Sequence, residues 1–276
     1  MNIIRVEQTD STNLLLKRIA SQQALEEGTV VVASHQTAGR GQHGNQWESE
    51  KDKNLTFSLL LYPTSLPLSH HFLLSKLIAL AVKDTLEEYA ATVNLPSQFS
   101  IKWPNDLYFG DRKIAGILIE NEWIARQITQ SIAGIGLNVN QKLFVSDAPN
   151  PISLHQIIHA ETDLNRLLDS LLQRIYDWYN PLKSGEYQMI SEAYHQSLYR
   201  KKGFYTYKDA NGLFEAQIQS VADDGFLCLQ TDRGEFRRYA FKEVAFVPIF
   251  ISSFAAASAA PATKPAAVVA PLLTEP

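Results

Sequence analysis

The sequence predicts an α+β protein in which a mixed β-sheet flanked by helices is followed by a small β-barrel. Three patterns indicate this arrangement. Helix and strand segments are interleaved over about the first 200 residues, several strands follow each other as hairpins, and turn signals become closely spaced after Lys201. We therefore predict a main domain at residues 1–200, a barrel domain at 201–251 and a disordered Ala- and Pro-rich tail at 252–276.

In the first quarter of the chain, the sequence pattern predicts three strands and one helix. A strand is predicted at 3–8, and a helix follows it because several capping residues precede Leu14 and Gly28 follows its end. The β-branched run at 29–34 predicts a buried strand, and another strand is predicted at 55–63. A polar, glycine-rich loop connects these two strands.

The middle of the chain predicts a long helix and a series of hairpins. Leucines at helical spacing predict the helix at 69–89. A strand at 99–103 and a turn at 109–112 indicate a hairpin, and two further strands are predicted at 113–125 and 127–139.

Two helical regions and the barrel complete the prediction. The helices are expected at 153–182 and 186–199. Beyond them, turn signals separate short apolar runs, which is typical of a barrel of about five strands. The turn signals are Asn211-Gly212, Asp224-Gly225 and Arg233-Gly234.

The composition limits the class of protein. The 276 residues are 45% hydrophobic and 20% charged, which is ordinary for a soluble globular protein. The net charge of -4 argues against a general nucleic-acid binder. The single cysteine, Cys228, fits a reducing compartment, and the N-terminus lacks the apolar segment of a signal peptide. The apolar run at 73–82 is too short to span a bilayer, so we expect a cytoplasmic protein without a membrane partner.

The loop at 39–44 reads GRGQHG and has the glycine spacing of a dinucleotide-binding motif. That motif requires a strand directly before it and a helix that begins within it. Here the strand ends at Ser34 and the next segment is another strand, so a Rossmann fold is excluded. Glycines and Arg40 suit close contact with an anionic ligand, although a plain surface loop has the same composition.

Four segments in order complete the pattern: STN at 11–13, HQTAGRGQHGNQW at 35–47, KWPNDLYFGDRKIAGILIE at 102–120 and GIGLNVN at 134–140. Together they closely resemble the bacterial biotin–protein ligases, and the resemblance extends to about Val247. It implies the class II synthetase-like biotin/lipoate ligase fold with a small SH3-like C-terminal barrel. It also implies a two-step reaction, in which biotin and ATP give biotinyl-5′-AMP and the biotinyl group then passes to a lysine of a biotin carboxyl carrier protein.

The resemblance assigns three catalytic residues: Lys113, Arg40 and Asp106. A carboxylate that attacks the α-phosphate needs nearby positive charge, which the lysine and the arginine would supply, with help from Mg²⁺. The accepting lysine has a pKa near 10.4 and is mostly protonated at neutral pH. Asp106 would orient or deprotonate it, and an acidic turn residue without a special task is the alternative.

The resemblance also assigns the binding residues, and no protein side chain is assigned to a metal. The biotin set comprises Ser11, Thr12, Asn13, Gln36, Arg40, Gly41, Gln42, Lys113 and Gly116. The ATP and adenylate set comprises Gly39, Arg40, Gly41, Trp47, Lys102, Asn105, Lys113 and Asn138. Taken alone, residues 11–13 would also serve as a helix cap. Gln42 stands where the family often has a second arginine, so the loop would hold the adenylate more weakly.

Other functions remain open at the level of sequence. A lipoate–protein ligase of the same fold and a non-catalytic biotin-binding protein are the alternatives. An octanoyltransferase of this kind would need a nucleophilic cysteine, and Cys228 lies in an apolar strand of the barrel, where an inert thiol is expected. The ligase segments begin at Ser11, so we expect no helix-turn-helix domain, no DNA partner and no repressor activity. Both a monomer and a homodimer are compatible with the sequence.

Overall fold

Residues 2–145 and 150–248 are described in the computed structural model, where they form two β-sheets and five α-helices. The predicted tail at 252–276 lies outside the described residues. Within them, no helix combines the length and the apolar character needed to cross a membrane.

The larger sheet has seven strands in the order β1-β2-β3-β7-β6-β5-β4. These are β1 Ile3–Thr9, β2 Val30–Gln36, β3 Leu55–Leu61, β4 Phe99–Lys102, β5 Asp106–Phe109, β6 Arg112–Ile124 and β7 Gln127–Leu137. β1 pairs with β2 in parallel, and every other pair is antiparallel. The predicted mixed sheet is therefore confirmed, and its second half is a meander of hairpins from β4 to β7.

Helices cover both faces of this sheet. They are α1 Thr12–Gln22, α2 Leu73–Ala91, α3 Leu154–Ile158, α4 Leu164–Lys183 and α5 Tyr187–Gln196. α1 packs Leu16 against Val31, Leu60 and Ile132 on one face, while the neighbouring residues Val30, Leu59 and Leu61 join the large core beneath α2 on the other. Adjacent residues of a strand point to opposite faces, so β3, which is covered on both sides, is buried along its whole length.

Two predicted helices have different bounds in the structure. The helix predicted at 153–182 is interrupted at His159, where φ is 55°, and α4 begins anew behind an Asp163 cap that accepts from Asn165 N and Arg166 N. Likewise α1 ends at Gln22, and Gly28 instead forms the turn before β2 with φ of 87°.

The smaller sheet has five antiparallel strands in the order β11-β10-β9-β8-β12. They are β8 Tyr205–Asp209, β9 Gly212–Val221, β10 Leu227–Thr231, β11 Phe236–Tyr239 and β12 Ala245–Phe246. The strand number and the turns agree with the sequence prediction, which confirms the fold class. The division between domains at residue 200 stays a prediction.

A buried lysine ties the β9–β10 turn to the helices of the main sheet. The Lys76 side chain on α2 is 1% exposed. Its Nζ donates to Asp223 Oδ1 at 2.6 Å, to Ser191 Oγ at 2.9 Å and to Val221 O at 2.9 Å. These three acceptors satisfy all three hydrogens of the ammonium group, so the charge is buried without an unsatisfied donor.

The same turn makes two further contacts, one with the start of α2 and one with the residue after β4. Phe72 N donates to Asp223 O at 3.0 Å, and Trp103 Nε1 donates to Gly225 O at 2.9 Å. Trp103 directly follows β4, so the barrel is fastened to the connection between β4 and β5.

Burial and hydrogen bonding act in opposite directions on this ion pair. Burial lowers the pKa of Lys76, and the hydrogen bond from Lys76 to Asp223 offsets part of that effect. Burial raises the pKa of Asp223, but the hydrogen bonds from Lys76 and Ser191 outweigh it, so the pKa lies below its ordinary value.

Replacing the acidic partner of Lys76 should destabilise the fold. Asp223→Ala leaves a buried ammonium without its counter-charge, which we expect to lower the free energy of unfolding by about 3 kcal/mol in urea titrations. Because the folded pKa of Asp223 is depressed, its contribution is present above the unfolded pKa and is lost as the pH falls through the folded pKa. The difference from the parent protein should therefore shrink below about pH 4.

Asp224→Ala is the matched control for this experiment. Asp224 pairs with Arg238, whose side chain is 53% exposed, so its loss should cost less than about 1 kcal/mol. Equal losses in both variants would contradict a special role for the buried lysine.

Candidate functional site

A cavity of about 320 Å³ opens between the loop that follows β2, the centre of the larger sheet and the end of the barrel. β5, β6 and β7 supply its floor, the loop at 36–47 lies over it, and barrel residues 241–246 close one side. This volume is at the lower end of the range for small-molecule sites.

Most of the site residues predicted from the sequence line this cavity. The lining includes the whole predicted biotin set: Ser11, Thr12, Asn13, Gln36, Arg40, Gly41, Gln42, Lys113 and Gly116. It also includes Trp47, Lys102 and Asn105 of the predicted nucleotide set and the predicted catalytic residue Asp106. Segments that are far apart in the sequence therefore converge on one cavity.

Two predicted residues, Gly39 and Asn138, are not among the lining residues. Asn138 is 4% exposed, and its Nδ2 donates to Ile152 O at 3.1 Å. Its side chain therefore links the end of β7 to the segment that precedes α3. Gly39 O accepts from Trp47 N at 2.9 Å. A Cβ at Gly39 would lie 2.4 Å from Trp47 O, so only glycine fits this close approach. Both residues support the site from outside the cavity.

Asp106 and Lys113 form an ion pair on the cavity wall. Asp106 begins β5 and Lys113 is the second residue of β6, so the hairpin brings them together. Lys113 Nζ lies 2.7 Å from Asp106 Oδ1, and both side chains are about a quarter exposed, at 27% and 24%. A ligand can therefore reach both members of the pair.

The indole of Trp47 packs against the strand backbones at Gly116 and Gly136. A Cβ at Gly136 would be 2.4 Å from Trp47 Cε2, and one at Gly116 would be 3.1 Å from Trp47 Cζ3. Lys113 Nζ is 5.6 Å from the centroid of the indole, within range of a cation–π contact. Trp47 Nε1 is buried and has no hydrogen-bond partner among the described residues. These glycines thus make room for a flat ring on the sheet.

A hydrogen-bond network fixes the start of α1. Thr12 N and Thr12 Oγ1 donate to Gln36 Oε1 at 2.8 and 3.1 Å. Ser58 Oγ, which is fully buried on β3, lies 2.7 Å from Thr12 Oγ1 and 2.6 Å from Asn13 Oδ1. Ser11 is the N-cap residue, but its side chain makes no capping hydrogen bond. Helix capping therefore does not account for the serine side chain.

Asn13 is held in one orientation by the sheet. Its Nδ2 donates to Leu118 O at 3.2 Å and to Glu120 Oε2 at 2.8 Å. A Cβ at Gly134 would lie 2.2 Å from Asn13 Oδ1, so glycine is required for the close approach. Since both amide hydrogens are used, Asn13 shapes the cavity wall more than it offers donors to a ligand.

Lys102 lies where the cavity meets the barrel. Burial lowers the pKa of Lys102, and the charge of Asp106 partly offsets that effect. Its Nζ donates to Tyr108 Oη at 3.0 Å and lies 5.5 Å from the Phe246 ring centroid. Together with Arg40 and Lys113 it gives the cavity three cationic side chains against the carboxylate of Asp106. Such a balance favours an anionic ligand.

Several lining residues were missed by the sequence reasoning. Gly134 and Gly136 lie in the GIGLNVN segment, whose alternating glycines were a usable signal. The barrel residues carry no local signal, because only the docking of the barrel brings them to the cavity. They are Phe241, Val244, Ala245 and Phe246.

Comparisons with known proteins agree on one family. The model of the biotin/lipoate A/B protein ligase family matches residues 5–138. The biotin–[acetyl-CoA-carboxylase] ligase of Mycobacterium tuberculosis is 35% identical over 192 residues, which are 67% of this chain and 69% of that protein. The bifunctional ligase/repressor BirA of Bacillus subtilis is 32% identical over 221 residues, 75% of this chain and 63% of that protein. The chain thus spans less than two thirds of the latter relative.

The fold of a solved structure is similar over most of its length. The biotin protein ligase from Aquifex aeolicus in complex with biotin and ATP superposes with a TM-score of 0.72 and 27% sequence identity. The match covers 88% of this chain and 97% of that one. It therefore includes both sheets.

Two buried serines of the larger sheet should respond differently to truncation. Ser58→Ala removes the hydroxyl that contacts Thr12 and Asn13, and leaving a buried acceptor such as Asn13 Oδ1 without its donor should cost about 1–3 kcal/mol. Ser131 on β7 is also fully buried, but its Oγ has no partner among the described residues, so Ser131→Ala breaks no hydrogen bond and should be neutral or stabilising. Chemical denaturation of both variants measures the difference, and similar losses would contradict the network.

Proposed function

The chain belongs to the biotin–protein ligases, and we propose that it converts biotin and ATP to biotinyl-5′-AMP and transfers the biotinyl group to a lysine of a carrier protein. The observation that carries the proposal is the convergence of Arg40, Lys113 and Asp106 on one cavity, beside the Trp47 indole that packs on the glycines of its floor. Its balance of three cationic side chains and one carboxylate suits a substrate that carries phosphate.

In the first step an oxygen of the biotin carboxylate attacks the α-phosphorus of ATP. The bond from that phosphorus to the β-phosphate oxygen breaks, and pyrophosphate leaves. Negative charge accumulates on the α-phosphate, and Arg40 and Lys113 would offset it from the cavity wall. Lys113 is paired with Asp106 at 2.7 Å, so we propose that its ammonium turns towards the phosphate when the nucleotide binds.

Mg²⁺ would enter this site with the nucleotide. Among the described residues, no three His, Cys, Asp or Glu side chains form a metal-binding cluster. Mg²⁺ usually keeps several waters and is commonly held through substrate phosphates, and we assign no side chain of this chain to the ion. The ion would neutralise phosphate charge, while the residues of this chain bind and orient the substrates.

In the second step the lysine amine of the carrier attacks the carbonyl carbon of biotinyl-5′-AMP, and AMP leaves. The amine must first lose a proton, and we propose that Asp106 orients the amine or accepts that proton. The carrier would be the biotin-accepting domain of acetyl-CoA carboxylase or a related carboxylase, because relatives of this chain carry that substrate in their names.

Gln42 would weaken the hold of the loop on the adenylate. It lines the cavity where a second arginine often stands in the family, and an amide cannot hold a phosphate by charge.

The cytoplasmic location of the protein also stays a prediction.

Biotin-dependent ATP–pyrophosphate exchange tests the adenylation step. The parent protein should catalyse exchange with biotin and not with lipoate, and Lys113→Ala should reduce it by at least about 100-fold, the scale of losing one oriented charge. Lys17→Ala, on the exposed face of α1, is the control and should retain full exchange. Exchange with lipoate instead would assign the chain to the lipoate branch. No exchange with either would favour a binding protein.

Transfer from preformed biotinyl-5′-AMP tests the role of Asp106. Asp106→Ala should slow single-turnover transfer to a carrier domain by about 10²–10⁴-fold, the usual contribution of a general base. Exchange should fall much less, because no proton leaves an amine in the first step. Unchanged transfer, or equal losses in both steps, would contradict this assignment.

A further inference from the structure

Glu120 on β6 contacts two parts of the site at once. Its Oε2 accepts from Asn13 Nδ2 at 2.8 Å, and its Oε1 lies 3.3 Å from Arg40 Nη2. One carboxylate thus connects the start of α1 to the arginine of the glycine-rich loop. Glu120 is not among the residues that line the cavity, so it acts on the ligand through its neighbours.

The Arg40–Glu120 pair contributes little to stability. The two side chains are 41% and 34% exposed, and ion pairs with that much solvent access are weak because water screens them. The pair does, however, bear on the direction of the Arg40 side chain, because the bridge from Arg40 to Gln46 within the loop involves only the backbone. We therefore expect the ion pair to affect the direction of the Arg40 side chain and to have little effect on the stability of the fold.

The position of Glu120 is itself well fixed. Its strand is paired with β7, where Glu120 lies opposite Ile132. On the other side, Asn13 is held by Leu118 O and by the buried Ser58 hydroxyl. Strand pairing and a buried network therefore determine where the carboxylate stands, and the carboxylate in turn directs the partly exposed Arg40.

Arginine can make this contact and still bind a ligand. The guanidinium group has five N–H donors, and the contact with Glu120 involves Nη2. The remaining donors stay available to a carboxylate or phosphate in the cavity. An arginine held in place before the ligand arrives loses less conformational entropy on binding.

We infer that Glu120 is a positioning residue, which orients Arg40 over the cavity and couples it to Asn13. The inference rests on the proposed function, because its readout is adenylation of biotin. Glu120→Gln is the informative substitution, since its amide oxygen still accepts from Asn13 while the charge that attracts Arg40 is lost.

Glu122→Gln is a matched control two residues along β6. Glu122 Oε1 pairs with Lys17 Nζ at 3.1 Å, and both side chains are about half exposed, at 47% and 55%. Residues two apart on a strand share a face, so the control removes a similar ion pair from the same face, away from the cavity.

Kinetics of biotin-dependent exchange separate the two variants. We expect Glu120→Gln to raise KM for ATP about three- to tenfold, in line with the coupling between contacting residues, with kcat within about twofold and Tm unchanged. Glu122→Gln should match the parent protein. If Glu120→Gln does not fold, Glu120→Asp, which keeps the charge on a shorter side chain, should raise KM at unchanged Tm. An unchanged or lower KM in the folded variant would overturn the inference.

A double-mutant cycle shows whether Glu120 acts through Arg40. Biotin and ATP binding is measured by calorimetry for Arg40→Ala and for Arg40→Ala/Glu120→Gln. We expect the same affinities in both, because the second substitution has nothing left to position. A further loss in the double variant would overturn the inference. A parent protein without biotin-dependent exchange would instead overturn the proposed function, so the two failures are distinguishable.

Discussion

The buried ammonium of Lys76 is the interaction on which the arrangement of the two sheets depends. Its three acceptors come from α5, from the end of β9 and from the β9–β10 turn. Because the Lys76 side chain is almost inaccessible to solvent, water cannot replace a lost acceptor. Any movement of the barrel would therefore leave donors of the ammonium group unsatisfied. Because the same turn accepts from Trp103, the docking of the barrel and the corner that carries Asp106 are set together.

The site combines buried hydrogen bonds with ion pairs that are partly exposed to solvent. Ser58, Thr12 and Asn13 form hydrogen bonds inside the protein, and glycines in β6 and β7 allow side chains to approach the sheet closely. In contrast, the ion pairs of Lys113 with Asp106 and of Arg40 with Glu120 are partly open to solvent. The Lys113–Asp106 pair is weak enough for an anionic substrate to draw the ammonium away, while Arg40 can keep its contact with Glu120 and offer its other donors to the ligand.

Local patterns predicted most of the secondary structure, and they failed where the backbone depends on distant contacts. The leucine spacing of α2 and the turns of the barrel are local signals, and the structure has both. The interruption at His159 was missed because apolar spacing continues across it, and the end of α1 was misplaced because Gly28 belongs to the next turn. The assignment of Asn138 to the nucleotide stays a prediction, and in the structure its side-chain amide donates to Ile152 O.

The sequence by itself determined the fold class, the order of the elements and the chemical types of residue in the site, because periodicity, turn residues and contiguous segments are local properties. Tertiary structure decided which of those residues meet. The 2.7 Å pair of Lys113 and Asp106, the indole on Gly136, the link from Glu120 to Arg40 and the barrel wall at Phe246 each join residues through strand pairing or docking. Such contacts depend on register and on the packing of separate elements, which no short stretch of sequence encodes.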